Sequence, residues 1–403
     1  MSALKDKRII LGVIGSIAAY KAADLASKLA QAGALVDVIL TSAAQKFITP
    51  LTFQSVTGRR AYSDADLWGN KAHVLHVGLA HNADLLIIAP CTANTIAKLS
   101  YGQADTLLTV TALAAQCLLI IAPAMDGGMF DHAATQENIE TLKKRGTVIV
   151  GPSEGHLASG LTGTGRLLEP AEIIGHIRLI LGRGGLLADK KIVITAGGTH
   201  EPLDPVRVLT NRSSGKQGYA LAQAALDLGA QVTLITTPTS LIAPVGADVL
   251  HVETARQMLD AVLKESEASD ALIMAAAVAD FRPRNAAKDK IKKEGGVPQI
   301  ELEATEDILK TVAGQKSDGR RLRVVVGFAA ESQNLLRNAA NKLESKNLDL
   351  IVANDISADD AGFAVETNRV TLLFADGRRE SLPLMSKVKT AEIILERVAL
   401  LLE

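Results

Sequence analysis

Residues 191–218 read KIVITAGGTHEPLDPVRVLTNRSSGKQG. The β-branched run from Ile192 to Thr195 predicts a strand that stops at Gly197-Gly198. The chain then crosses a loop carrying Pro202, Asp204 and Pro205, and restarts as a helix after Ser213-Ser214-Gly215. Strand, anion-binding loop and helix N-terminus follow in that order. Glycines let backbone N–H groups come close to a charged group, and the helix end past Ser214 adds its positive dipole. A Gly-Gly pair alone is more often a generic turn; the length of the pattern carries the reading.

Working outward, Lys190 to Pro238 is strand, loop, helix and strand, ending at Thr236-Thr237 without an acidic residue. The first half opens the same way. IILGVIG is a strand, Ser16 is the expected N-cap, and Ala18, Ala22, Leu25 and Leu29 place an apolar stripe at helical spacing. Gly33 ends that helix, and LVDVILTS is the next strand. Its end, Thr41-Ser42, stands where an NAD enzyme needs an acidic residue for the ribose hydroxyls, so a phosphate, and with it a mononucleotide, is the better ligand. Pro170 to Leu181 reads as a closing helix and Gly182 to Gly185 as a hinge. The expected architecture is therefore two doubly wound, Rossmann-like α/β domains, residues 1–187 and 188–403.

A chain of 403 residues suits two cores. With 3% aromatic residues those cores are built from Ala, Leu, Ile and Val, and a formal net charge of −1 gives no electrostatic case for nucleic acid or an anionic membrane. Cys91 and Cys117 form neither a disulfide framework nor a metal quartet, and Cys91 reads as a small buried filler. His73 and His76 lack further ligands at metal spacing. The apolar region Leu107 to Met125 contains Gln116 and Pro123 and reads as a helix feeding a strand. A cytoplasmic protein with no membrane span is expected.

Thr195 to Thr199 (TAGGT), Glu201 to Arg207 and Asn211 to Lys216 resemble the signature of phosphopantothenate–cysteine ligases. Gly15 to Lys21 (GSIAAYK), the following TSAAQKFI and Pro90 to Thr95 (PCTANT) resemble the flavin-binding cysteine decarboxylases. Together the chain resembles the bifunctional coenzyme A biosynthesis family that joins the two. For the second half the resemblance implies activation of 4′-phosphopantothenate by CTP with Mg²⁺ to an acyl-cytidylate, from which L-cysteine displaces CMP. It implies Asn211 on the acyl intermediate, Lys290 as a lid over the triphosphate, and Gly197, Gly198, Ala276, Asp280, Phe328, Lys342 and Lys346 around nucleotide and substrate. The sequence does not decide CTP against ATP. By itself the Lys288–Lys293 run reads as a solvated surface.

For the first half the resemblance implies FMN held by Gly15, Ser16, Ile17, Ser42, Thr92, Asn94 and Thr95, with His76 as a catalytic residue, in the decarboxylation of 4′-phosphopantothenoyl-cysteine to 4′-phosphopantetheine. It also implies a homo-oligomer, trimers of the first half and dimers of the second, consistent with a dodecamer. Two positions depart from the pattern. Asp126 replaces the Asn that contacts the substrate carboxylate, and two carboxylates about 4 Å apart repel by some 4 kcal/mol at an effective dielectric of 20. Asp126 is then protonated, turned away, or placed so as to favour loss of CO₂. Ser159 replaces the proton-donating Cys of a substrate flap, and a hydroxyl is a far weaker acid than a thiol of pKa about 8.5. These departures leave an alternative, an active ligase with a non-catalytic, flavin-binding regulatory first half.

Overall fold

The computed structural model describes residues 3–68, 75–293, 297–316, 321–331, 334–355 and 365–403. Contacts divide the chain into two compact units, Ser2–Leu181 and Gly182–Glu403.

The first unit contains strands β1 (Arg8–Val13), β2 (Leu35–Leu40), β3 (Ala61–Ser63), β4 (Leu85–Cys91), β5 (Leu118–Pro123) and β6 (Val148–Ile149). They form a parallel sheet in the order β3-β2-β1-β4-β5-β6. Helices α1 (Ala19–Gln31), α2 (Pro50–Thr57), α3 (Leu75–His81), α4 (Ala93–Tyr101), α5 (Leu107–Ala114), α6 (Gly127–Asp131), α7 (Ala133–Lys144) and α8 (Pro170–Gly182) connect and cover it. The strands are apolar on both faces because both are buried. Ile9, Leu11 and Val13 enter one core with Leu25 and Ile177, while Ile10 enters the other with Ile88, Leu108 and Ile139. Cys91 is fully buried in the second core, and that burial pushes its thiol up.

The stripe on α1 is as expected, but its start is not. The helix begins at Ala19 with Ala18 in the capping position and no side-chain cap, because Ser16 to Ala19 form a separate turn in which Ser16 Oγ accepts from Ala18 N at 3.2 Å. A hairpin, β7 (Ser153–His156) and β8 (Thr162–Arg166), follows β6. Met125 N donates to Gly165 O at 3.0 Å and holds the hairpin against the end of β5.

In the second unit, β9 (Lys191–Ala196) is followed by the short antiparallel pair β10 (His200–Pro202) and β11 (Val208–Thr210), then α9 (Lys216–Asp227), β12 (Gln231–Thr236), β13 (Ala247–His251), α10 (Ala255–Ser266) and β14 (Ala271–Met274). A second pair, β15 (Phe281–Pro283) and β16 (Leu302–Ala304), leads to α11 (Ile308–Lys316), β17 (Val324–Glu331), α12 (Leu335–Ser345) and β18 (Leu350–Asp355). The chain closes with β19 (Thr367–Asn368), β20 (Val370–Phe374), β21 (Arg379–Ser381), β22 (Met385–Ser386) and α13 (Lys387–Leu402). The sheet order is β13-β12-β9-β14-β17-β18-β20-β21, parallel up to β18 and antiparallel beyond it. Phe328 lies inside β17. Strand β14 is only four residues long, so the chain leaves the sheet at Ala275 and runs across its carboxyl edge.

Candidate active sites

The carboxyl edge of the second sheet opens on a cleft of about 450 Å³. Its walls include Ala276, Asp280, Phe328, Lys342 and Lys346, five residues expected around nucleotide and substrate. At one side stands the N-terminus of α9. Gly215 holds the capping position at φ +77° and no side chain caps the helix, so its first turn is suited to an anion. Lys346 Nζ pairs with Asp307 Oδ2 at 3.0 Å.

Gly197 and Gly198 stand behind this wall rather than on it. Gly197 has φ +89°, and a Cβ there would lie 2.0 Å from Thr237 Oγ1. Its carbonyl accepts from Ala277 N at 2.8 Å, and Thr199 N donates to Ala277 O at 3.3 Å, which fastens the segment after β14 to the glycine loop. Asn211 is also off the wall. Its Nδ2 donates to the carbonyls of Ala277 and Val278, both at 3.2 Å. Lys290 is exposed, in a segment docked through Ile291 N to Asp204 Oδ2 at 3.1 Å. Sequence reasoning passed over Gln217, Asn354, Asn368 and Lys387, which line the cleft.

The first unit has a cleft of about 350 Å³ that brings together Ser16, Ile17, Asp126 and Ser159, with Tyr20 and Lys21 beside them. Asp126 is the N-cap of α6. One carboxylate oxygen accepts from Gly128 N at 3.0 Å and the other from Ser159 Oγ at 2.9 Å. Both positions that depart from the family pattern thus meet in one hydrogen bond, and Asp126 is turned to its own helix and to the flap. Lys21 is nearly buried, with Nζ on Glu169 at 2.7 Å and Leu167 O at 3.3 Å; its place in GSIAAYK was the signal for it.

The remaining flavin residues lie off this cleft, at the carboxyl ends of β1, β2 and β4. A Cβ on Gly15 would lie 2.6 Å from the Cβ of Ala43, so only glycine lets these two loops close. Ser42 donates through Oγ and N to Asp64 Oδ2 at 2.8 and 3.0 Å, and Leu107 N donates to Asp64 Oδ1 at 3.1 Å. Asp64 had no sequence signal. Thr92 is the N-cap of α4 but makes no side-chain cap, and Asn94 and Thr95 form the first turn. Two neighbouring helix N-termini, α1 and α4, are therefore left without side-chain caps, an arrangement that fits a phosphate-bearing group. His76 lies on α3 with Nδ1 buried and, among the described residues, without a partner. His73 falls outside the described residues. Among those described, no cluster of three or more His, Cys, Asp or Glu is arranged for a metal, and no helix is long and apolar enough to cross a membrane.

Residues 2–181 match the family described as "Flavoprotein", and residues 187–401 the family described as "DNA/pantothenate metabolism flavoprotein C-terminal domain". The chain is 47% identical over 401 residues to the "Coenzyme A biosynthesis bifunctional protein CoaBC" of Bacillus subtilis strain 168, covering 99% of this chain and 98% of that one. It is 43% identical over 400 residues to the Vibrio cholerae protein of the same name, covering 99% of each. A crystal structure of the C-terminal domain of a CoaBC protein aligns with 54% of this chain and 98% of its own, at 41% identity and a TM-score of 0.46.

Proposed function

The chain belongs to the bifunctional CoaBC family of coenzyme A biosynthesis, and from that premise we propose how its two units divide the work. It is a phosphopantothenate–cysteine ligase and a flavin-dependent phosphopantothenoylcysteine decarboxylase in one chain. The proposed division is residues 1–187 for decarboxylation and 188–403 for ligation, each a doubly wound, Rossmann-like domain. The strand orders support that description, since in both units the chain reverses direction across the sheet beside the first strand.

Ligation comes first. CTP with Mg²⁺ activates the carboxylate of 4′-phosphopantothenate; the acyl-cytidylate is then opened by L-cysteine with loss of CMP. The uncapped N-terminus of α9 and the amines of Lys342 and Lys346 are suited to the phosphates, and Asp280 to the ribose. Asn211 holds the Ala277–Val278 backbone on which the acyl group is presented, and Lys290 closes over the triphosphate from its exposed segment.

In the first unit, FMN would be held at the starts of α1 and α4 by Gly15, Ser16, Ile17, Thr92, Asn94 and Thr95, with Ser42, which Asp64 positions at the end of β2. Bound FMN supplies a reversible two-electron oxidation of the substrate, which makes loss of CO₂ possible. Asp126 and Ser159 hold the flap over the reacting carbon, and Ser159 is the hydroxyl through which the carbon that loses CO₂ gains its proton. His76, with an open ring nitrogen, serves the same chemistry. The protein works as a cytoplasmic homo-oligomer.

One observation carries this reading: the match runs through both units, and each unit has a cleft lined by residues of the matched pattern. The test supplies the purified protein with 4′-phosphopantothenoyl-cysteine alone and follows CO₂ and 4′-phosphopantetheine by mass. Many turnovers per flavin are expected. If there is no product while CTP-dependent ligation proceeds in a parallel vessel, the first unit is a flavin-binding regulatory half and the proposed roles of Asp126 and Ser159 fall.

A further inference from the structure

The segment that carries Lys290 is fastened at both ends by one loop, Leu203 to Arg207, the turn between β10 and β11. Ala287 N donates to Leu203 O at 3.0 Å, and Ile291 N donates to Asp204 Oδ2 at 3.1 Å. Arg207 Nη2 donates to Ile291 O at 3.1 Å, so both backbone polar groups of Ile291 are held. Lys288, Asp289 and Lys290 are exposed between these attachments. The N–H of Ile291 belongs to the peptide plane that begins at Lys290, and fixing that plane sets where the Lys290 side chain starts.

Asp204 does more than its own turn requires. Its side chain has no exposed surface. Oδ1 accepts from Val206 N and Arg207 N, both at 2.8 Å, which closes the turn locally. Oδ2 is left for Ile291 N, 87 residues away, with the Arg207 guanidinium at 3.5 Å. A buried carboxylate is costly unless its lone pairs are met. Burial alone would raise this carboxyl; the N–H groups of Val206, Ile291 and Arg207 outweigh it and hold the group below the usual carboxylate range. An Asx turn needs one oxygen, which a neutral Asn would also supply. The second oxygen is the one that reaches the Lys290 segment.

We propose that Asp204 is a positioning residue for the nucleotide step, setting Lys290 toward the triphosphate by fixing the peptide at Ile291; this rests on the ligase reading above. Lys290 stands off the cleft wall, on a segment that would otherwise have to be ordered each time the nucleotide binds. With Ala287 and Ile291 already held, the torsions of the lysine side chain are the main freedom left to lose. In the step itself a carboxylate oxygen bonds to the α-phosphorus, and pyrophosphate leaves with the electron pair of the broken P–O bond. The Lys290 amine faces the charge that gathers on that leaving group. Asp204, buried behind the turn, touches neither reactant. Capture of the acyl-cytidylate by cysteine follows the departure of pyrophosphate and does not draw on this tether.

The test uses the full chain with 4′-phosphopantothenate, CTP and Mg²⁺. Pyrophosphate release is followed in a single turnover without cysteine, and amide formation is then timed after cysteine is added to the accumulated intermediate. In Asp204→Asn the two 2.8 Å bonds draw the amide oxygen to the turn, which leaves the NH₂ facing Ile291 N, donor against donor. Pyrophosphate release is expected to fall about tenfold, while capture by cysteine stays within about twofold of the parent. Lys290→Gln should lose at least as much, and the double variant should be no slower than Lys290→Gln. Hydrogen exchange should quicken about tenfold at Ile291 while Val206 and Arg207 stay protected, a pattern that general loosening would not give. Ile291→Pro removes the donor of the same bond with Asp204 and its turn in place, and should slow pyrophosphate release to the same extent whether or not Asp204→Asn folds. Unchanged pyrophosphate release in either variant overturns the proposal. So does a loss in the double variant equal to the product of the two single losses, which would make Asp204 a structural residue of the turn alone. If Lys290→Gln is without effect, the proposal fails and the ligase reading stands; if the parent protein releases no pyrophosphate at all, the ligase reading itself fails.

Discussion

The two clefts satisfy their polar groups in opposite ways. In the first, the functional side chains bond to one another: Asp126 holds Gly128 N and Ser159 Oγ, and Lys21 holds Glu169. In the second, the buried amide oxygens of Asn354 and Asn368 have no hydrogen-bond partner among the described residues. The first must exchange partners when a substrate enters. The second is organised before binding, and its rigidity comes from backbone fastening: Gly197 O to Ala277 N, and Asn211 Nδ2 to two carbonyls. A flap that closes late suits a reaction in which the last proton must arrive at one carbon; a fixed wall suits the assembly of three reactants.

The sharpest way to break that contrast is at the glycines. Gly197→Ala puts a Cβ 2.0 Å from Thr237 Oγ1 at φ +89°, and is expected to destabilise the second unit by about 3 kcal/mol. Gly15→Ala in the first unit, without a left-handed φ, meets the Ala43 Cβ at 2.6 Å and its backbone carbonyl carbon at 3.1 Å, and is expected to cost about 2 kcal/mol, with weaker flavin retention. Hydrogen exchange read separately in the two sheets checks both. Equal losses would mean that the two loops are equally rigid.

Next in size is the Asp126–Ser159 contact. Asp126→Ala and Ser159→Ala are each expected to lower formation of the final product about 100-fold, with the double variant no worse than the poorer single. Asp126→Ala also removes a helix cap and lowers stability by about 1 kcal/mol, which Ser159→Ala does not. Asp126→Asn combined with Ser159→Cys, the residues of the family pattern, should retain turnover. Additive losses in the double variant would make the contact incidental.

These predictions also mark what was legible in the chain. The β9–α9 opening and the apolar stripe of α1 follow from local patterns, because periodicity and glycine placement act over a few residues; the lysines of the second cleft came only through the family resemblance. The Asp126–Ser159 bond joins positions 33 apart through a hairpin whose register no local pattern shows. Asn211 read as a ligand contact, yet its amide fastens backbone carbonyls, since a side chain beside an irregular edge satisfies the chain first. Ser16 read as a helix cap and instead closes the turn before α1. Asn368 carried no signal at all, because its amide is held by Gln217, 151 residues away.

The smallest effect lies at the opposite, amino-terminal edge of both sheets, where the two units match. Arg8 N donates to Asp84 Oδ2 at 2.8 Å in the first, and Lys191 N donates to Asp270 Oδ2 at 2.8 Å in the second. Each carboxylate also pairs with a cation, Lys7 for Asp84 and Arg321 for Asp270, but the Asp84 side chain is 36% exposed and that of Asp270 only 9%. Burial alone would raise the Asp270 carboxyl; the Lys191 N–H and the Arg321 guanidinium outweigh it and hold the group below the usual carboxylate range. A folded pKa below the unfolded one gives stability that is fully present above about pH 4 and is lost as the pH falls through the folded value. Asp270→Asn is therefore expected to cost the second unit about 1–2 kcal/mol at pH 7 and to flatten its loss of stability below about pH 4. Asp84→Asn should cost the first unit less than about 0.5 kcal/mol, because water screens the exposed pair. Acid titration of hydrogen exchange in each sheet separates the two, and an equal response would show that the shared backbone bond, rather than the burial of its acceptor, sets the contribution.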